Sequence, residues 1–346
     1  MEASNIECYC ETEFIRQFIE SIPVPVSNPY DDIPEFDIWR KYKKLIFNDM
    51  TLIVDSNDKI EELFRTNQEN QIYLLLYKKV VGGQSEKTFS DINFTEINPH
   101  AVFFLADTQK CKQFEEDYGM LFVSNEMKNE KANILFNTGS VEIEKDKNDY
   151  KNWKDLANHK YFIHPCNSII ITDNYIVKNE KHYRDNLFAL INVILPKRLN
   201  KLPFQITIIA DECISEEKKK ACYESIFKHL KYLKEGRGYK YDIELKIIFQ
   251  TNNENHARNL ITNYLRLNPD DSFKWFEENR EHNKRFHNDY HLRITRNLKL
   301  SYSTIFNDSG YKKIKEQYKK YDSNKRKYFE TPMLQNKEEV KNRLLN

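Results

Sequence analysis

The feature that most constrains this chain is a recurring pattern in which a short apolar run, ending in or beside Asp, gives way to residues at helical spacing. Thr51-Leu-Ile-Val-Asp55 is followed by Asp58-Lys-Ile-Glu-Glu-Leu-Phe64. Ala101-Val-Phe-Phe-Leu105 runs through Ala106-Asp107-Thr108 into a helical stretch with Cys111, Phe114 and Glu115, which Gly119 closes before Met120-Leu-Phe-Val123. Asn167-Ser-Ile-Ile-Ile-Thr172 precedes an amphipathic segment from Tyr183 to Leu195, and Phe204-Gln-Ile-Thr-Ile-Ile-Ala210 precedes a long one from Ser215 to Lys234. Short continuous apolar runs suit strands buried on both faces, and their alternation with helices predicts a parallel sheet covered on both sides.

Further elements follow from the same reading. Ile72–Tyr77 is predicted as a strand, Tyr241–Phe249 as a half-buried strand, Asn255–Leu267 as helical, and Phe286–Phe306 as holding a further strand or two. Phe14–Ile22 suits a short helix, after which Pro23, Pro25, Pro29 and Pro34 oppose regular structure. A chain of 346 residues exceeds the roughly 250–300 residues at which single cores stop growing. The expected class is therefore α/β in two units, each a mainly parallel or mixed sheet flanked by helices, with a basic helical C-terminal tail. The expected divisions are an arm over 1–44, units over 45–150 and 160–310, and the tail over 311–346.

Bulk charge decides little, because 54 Lys and Arg oppose 53 Asp and Glu; distribution has to decide. No apolar run approaches the roughly 18 residues of a membrane helix, and Met1–Ile22 carries acids where a secretory signal is basic and apolar. A cytoplasmic protein without membrane contact is expected. Six scattered cysteines fit reduced thiols; the one close pair, Cys8-x-Cys10, falls in a segment expected to be loose. Trp39, Trp153 and Trp275 read as core or interface anchors.

The second unit resembles the phospholipase D-like superfamily. The resemblance rests on Ser168-Ile-Ile-Ile-Thr-Asp-Asn-Tyr175, Phe204–Ala210, Tyr241–Phe249 and Phe286-His-Asn-Asp-Tyr-His-Leu-Arg-Ile-Thr-Arg-Asn297. It implies phosphodiester chemistry in which His291, or His287 in the alternative register, attacks or shuttles protons, while Asp173 orients the pocket. Arg293, Arg296 and Lys299 would hold the phosphate, with no cofactor required. The sequence departs from the family's H-x-K motif, since no lysine stands two places after His291. A phosphate-binding row is thus more evident than a nucleophile.

The first unit is similar to PIN-like or Rossmann-like domains, on Thr51-Leu-Ile-Val-Asp-Ser-Asn57 and Phe103-Phe-Leu-Ala-Asp107. The resemblance implies that Asp55 and Asp107, at the carboxyl ends of strands, hold Mg²⁺ or Mn²⁺ that activates water. Both residues read equally well as turn formers or helix caps. Gly82-Gly83 lacks a following Lys-Ser/Thr, which excludes a P-loop.

The tail interleaves Lys312, Lys313, Lys315, Lys319, Lys320, Lys325, Arg326 and Lys327 with Tyr318, Tyr321 and Tyr328, a composition suited to single-stranded nucleic acid or to a solvated helix. The combined expectation is a DNA- or RNA-associated protein, nuclease-type, in a bacterial defence or mobile-element system. The alternative is a non-enzymatic scaffold that uses nuclease-like folds to bind another protein of the same system or a phosphate ligand.

Overall fold

Two groups of buried strands organise the chain into two units, Met1–Phe136 and Asn137–Asn346. The computed structural model describes residues 6–23, 34–81, 92–136, 138–143, 152–157, 164–211, 215–250, 258–269, 272–273, 290–295, 316, 328–330 and 342–345.

In the first unit, β1 (Glu7–Cys10), β2 (Thr51–Val54), β3 (Val102–Phe104) and β4 (Leu121–Val123) form an all-parallel sheet in the order β2-β1-β3-β4. The crossovers are helical: α1 (Thr12–Glu20), α2 (Pro34–Lys44), α3 (Asn57–Thr66), α4 (Gln71–Val80), α5 (Thr108–Tyr118) and α6 (Lys128–Phe136). Tyr9, Phe103 and Phe122 share one register across three strands. Their rings stack at 5.0 Å and 4.6 Å, contacts that each contribute about 0.5–1.5 kcal/mol beyond burial. Trp39 is buried, its indole N–H donating to Phe18 O.

Two elements of the first unit differ from the sequence expectation. Glu7–Cys10, assigned to a loose arm, is an inner strand with both cysteines fully buried. A reduced cysteine packs as a small hydrophobe, so Glu-Cys-Tyr-Cys makes an apolar strand without a single aliphatic residue; burial pushes the Cys10 thiol well up. Ile72–Tyr77, expected as a strand, lies inside α4. Asn70 caps that helix by accepting from Ile72 N–H, and Tyr73, Leu76 and Val80 are buried at helical spacing.

In the second unit the elements are β5 (Thr138–Ile143), α7 (Trp153–Ala157), β6 (Ser168–Thr172), α8 (Glu180–His182), a π-helical turn (Tyr183–Leu187), α9 (Phe188–Ile194), β7 (Phe204–Asp211), α10 (Glu216–Arg237), β8 (Ile243–Gln250), β9 (Asn259–Thr262), β10 (Arg266–Pro269), β11 (Tyr290–Thr295) and β12 (Tyr328–Glu330). The sheet runs β12-β8-β7-β6-β9-β10-β11-β5. Its middle, β6-β7-β8, is parallel, and the pairs on either side are antiparallel. α10 starts where Ser215 accepts from Lys218 N–H and stops at Gly238, whose φ of 65° suits glycine. Trp153 is fully buried and donates to Asn186.

The helix expected over Asn255–Leu267 is replaced by the β9–β10 hairpin. Thr262 N–H donates to Leu265 O and the Thr262 hydroxyl accepts from Leu265 N–H, closing a turn at Asn263-Tyr264. Pairing on both sides then completes the sheet, and tertiary burial of Leu260, Ile261 and Leu267 overrides local helical spacing. Of the tail, the structure describes Glu316 and β12, and a 3₁₀ turn at Arg343–Leu345 that is buried. Among the described residues no helix is long and apolar enough to cross a membrane.

Candidate phosphate-binding site

Parallel sheets place ligands at the carboxyl ends of their strands. In the first unit Asp55 follows β2, Glu11 follows β1 and Asp107 lies just beyond β3. Asp55 and Asp107 are therefore separated by the width of β1, with strand axes about 10 Å apart. Each is held by protein donors. Asp55 Oδ1 accepts from Thr12 N–H at 2.8 Å and from the Thr12 hydroxyl, and Asp55 Oδ2 meets Lys59 Nζ at 3.1 Å. Burial works against the Asp55 charge, but these bonds outweigh it and hold the carboxyl below its usual value.

Asp107 Oδ1 caps α5, accepting from Gln109 N–H at 2.7 Å and Lys110 N–H at 3.1 Å. Glu11, which sequence reasoning missed, sits between them and takes Ala106 N–H at 2.8 Å and Lys110 Nζ at 2.6 Å. Among the described residues no group of three or more His, Cys, Asp or Glu side chains is gathered to hold a metal ion. A cleft of about 340 Å³ opens beside Asp55, lined by Thr12, Glu13, Arg16, Lys59, Glu62, Leu63 and Thr66, with cations and carboxylates in balance.

The second unit is different in kind. Asp173 follows β6 and is 1% exposed. Its Oδ1 accepts from Tyr175 N–H at 2.9 Å, and its Oδ2 accepts from the Ser272 hydroxyl at 2.6 Å and Phe273 N–H at 2.8 Å. Burial pushes its carboxyl up; those donors and the nearby Arg258 guanidinium pull the other way. The arrangement locks the turn that presents Tyr175, whose ring lies 5.4 Å from the Arg258 guanidinium and 5.6 Å from Lys178 Nζ.

Alongside it runs a polar row across the sheet. Thr172 pairs with Asn259, and the Thr172 hydroxyl accepts from Asn259 N–H at 3.0 Å. The Asn259 carboxamide oxygen then accepts from Arg266 Nε at 3.0 Å and from Asn268 Nδ2 at 3.3 Å, while Asn268 Nδ2 also donates to Arg258 O at 2.7 Å. Asn268 stands opposite Arg293, and Arg293 opposite Ser140. Arg258, Arg266 and Arg293 thus come from three neighbouring stretches of chain: Arg293 opposite Asn268, Arg266 two residues before Asn268 and opposite Thr295, and Arg258 immediately before β9. Three arginines on adjoining stretches of chain concentrate positive charge at this part of the sheet, which favours an anion.

Of the residues singled out in the sequence, Arg293 joins this row and His291 lies two positions earlier on the same strand, opposite Glu142. Asp173 is at the same end of the sheet, but β9 and β10 stand between β6 and β11, a lateral separation of about 14 Å. His287, Arg296 and Lys299 lie outside the described residues. Arg258, Asn259 and Arg266 fall within Asn255–Leu267, whose spacing predicts a helix, and Asn268 lies just beyond it. The period-two alternation, Arg266-Leu-Asn268 with Leu267 buried, is the signal that finds them.

No family model matches the chain, and no curated protein matches it. Among solved structures, a polyphosphate kinase from Porphyromonas gingivalis superposes with a TM-score of 0.27 and 14% identity, over 49% of this chain and 25% of that one. This chain therefore spans a quarter of that protein's length. TrmBL2, an archaeal chromatin protein described with a novel mode of DNA binding, superposes with a TM-score of 0.26 and 9% identity, over 90% of this chain and 79% of that one. Likeness at these TM-scores carries no argument about this chain's family or chemistry.

Proposed function

We propose that this chain binds nucleic acid through the second unit's sheet, with Arg258, Arg266 and Arg293 meeting phosphates and the Tyr175 ring, which lies beside Arg258, offering its face to a base. The observation that supports this is the row Thr172–Asn259–Asn268–Arg293, which carries Arg266 on the same hydrogen-bonded network. The Arg266 guanidinium is oriented by the Asn259 carboxamide. Several cations on adjoining stretches of chain, one of them against an aromatic ring, suit a phosphate polymer with exposed bases. The finer reading, phosphodiester hydrolysis with His291 or His287 as nucleophile, or with Mg²⁺ or Mn²⁺ at Asp55 and Asp107, is separable by experiment.

The test is incubation of the purified chain with labelled single- and double-stranded DNA and RNA, with Mg²⁺ or with EDTA. Binding that weakens in Arg266→Ala plus Arg293→Ala supports the proposal, and no binding to any of the four polymers overturns it. Cleavage lost in His291→Ala assigns hydrolysis to the second unit, cleavage lost with EDTA and in Asp55→Ala assigns it to the first, and binding without cleavage leaves a pure binding protein.

A further inference from the structure

The segment Asn342–Leu345 is buried along its whole length, and it is held mainly by its side chains. Asn342 Nδ2 donates to Ile169 O and to the Thr207 hydroxyl, both at 3.0 Å. Asn342 Oδ1 turns inward to accept Leu344 N–H at 3.1 Å, and Leu345 N–H donates to Asn342 O at 3.0 Å, so the segment closes its own tight turn. Arg343 Nη1 donates to Pro203 O at 2.9 Å, Asn167 O at 3.3 Å and the Ser168 hydroxyl at 3.4 Å. Arg343 N–H donates to Gln205 Oε1 at 2.8 Å, and Gln205 Nε2 in turn donates to Glu244 at 2.7 Å. Leu344 is fully buried.

Every named partner of the two polar side chains on the body is an oxygen, from β6, β7 and the residues just before them. Such a lining accepts a carboxamide N–H₂ and a planar guanidinium and discriminates against an acid at either position, because an acid brings acceptors to acceptors. Burial pulls the Arg343 guanidinium down to about 10 while Glu244 supports its charge, so it remains a cation at neutral pH. The apolar Leu344 fills the rest.

We infer that the second unit contains a peptide-recognition slot that reads Asn-Arg-Leu-Leu, with the chain's own segment Asn342–Leu345 as its occupant. The slot holds this segment by side-chain recognition rather than by covalent connection. This mode of recognition, polar readout of two consecutive positions followed by an apolar anchor, is that of a peptide ligand on a preformed surface. The inference is independent of the nucleic-acid reading.

The test uses the full chain with a specific protease site engineered between Gln335 and Asn336, cut after folding. The released 336–346 fragment is expected to remain with the body through gel filtration and to exchange with a fluorescent synthetic peptide of the same sequence. Peptides carrying Asn342→Asp or Arg343→Glu are expected to compete at least tenfold more weakly. A fragment that leaves on cutting, with no peptide capture by a body that keeps its circular dichroism, overturns the inference, as do variant peptides that compete equally. If the cut body unfolds, a double-mutant cycle in the uncut chain decides. Asn342→Ala and Thr207→Val, which remove the two ends of one side-chain bond at 3.0 Å, should shift the unfolding midpoint non-additively, and strict additivity contradicts the slot.

Discussion

Asn268 stands directly opposite Arg293 across the β10–β11 ladder, and its amide reaches 3.3 Å to the Asn259 carboxamide to which Arg266 also donates. Asn259 is thus an organiser of the row: it is 1% exposed and orients groups that can reach solvent. Asn259→Ala is expected to weaken nucleic-acid binding several-fold while leaving its salt dependence unchanged, because no phosphate contact is itself removed. Fluorescence anisotropy across a salt series checks both halves. Loss of a shared buried acceptor should also lower stability by about 1–3 kcal/mol.

The first unit contains a buried ion pair between Lys131 and Glu115 at 2.7 Å, with Lys131 only 5% exposed. Glu115 also accepts Phe122 N–H at 3.2 Å, which ties α5 to β4. Removing Glu115 leaves the buried Lys131 charge with the more distant, exposed Glu130 at 3.8 Å, so Glu115→Ala is expected to cost about 3 kcal/mol in denaturant unfolding. The paired replacement Glu115→Leu with Lys131→Met should recover most of that loss. Equal loss in the double variant would show that the pair's attraction, and not the stranded charge, dominates.

Asp55 provides a pH-dependent contribution whose sign is fixed by its depressed carboxyl. Stability from its bonds to Thr12 and Lys59 is present above the unfolded carboxyl value, about 3.9, and is lost as pH falls through the lower folded value. Asp55→Asn should therefore be less stable than wild type at neutral pH by about 1 kcal/mol, and the difference should shrink toward pH 3. The same variant probes the metal reading. Titration with Mg²⁺ or Mn²⁺ that stabilises wild type but not Asp55→Asn supports a cation there, and equal response in both argues against it.

His229 acts in the opposite range. Its ring stacks on Phe188 at 3.8 Å and 5°, and burial pulls its value down to about 4. The unfolded chain takes up a proton near 6.5, the folded chain only near 4. The neutral ring's contribution is thus complete above the unfolded value and declines as pH falls between the two. Thermal melts of wild type should lose midpoint over that window, and His229→Phe should flatten the loss.

How much of this was legible in the sequence depends on how each residue is buried. β6, β7 and α10 were evident because aliphatic runs and the Ser215 cap are local signals. β1 was not, since its apolar character lies in Cys8, Tyr9 and Cys10, and its status as an inner strand comes from pairing with β2 and β3 far along the chain. Ile72–Tyr77 is ambiguous by run length alone and is decided by the Asn70 cap. The site shows the same division. Arg293 stood out as part of a basic cluster, whereas Asn259, Arg266 and Asn268 acquire meaning only once a hairpin places them in register with it.

The measurement that tests the central claim most directly is the salt dependence of nucleic-acid affinity for wild type and for Arg266→Ala plus Arg293→Ala, with folding checked by circular dichroism. Each lost phosphate contact removes about 0.7–0.9 from the slope of log affinity against log salt. The account predicts a double variant that binds more weakly at low salt, with a slope shallower by about 1.4–1.8. An unchanged slope with unchanged affinity would contradict it.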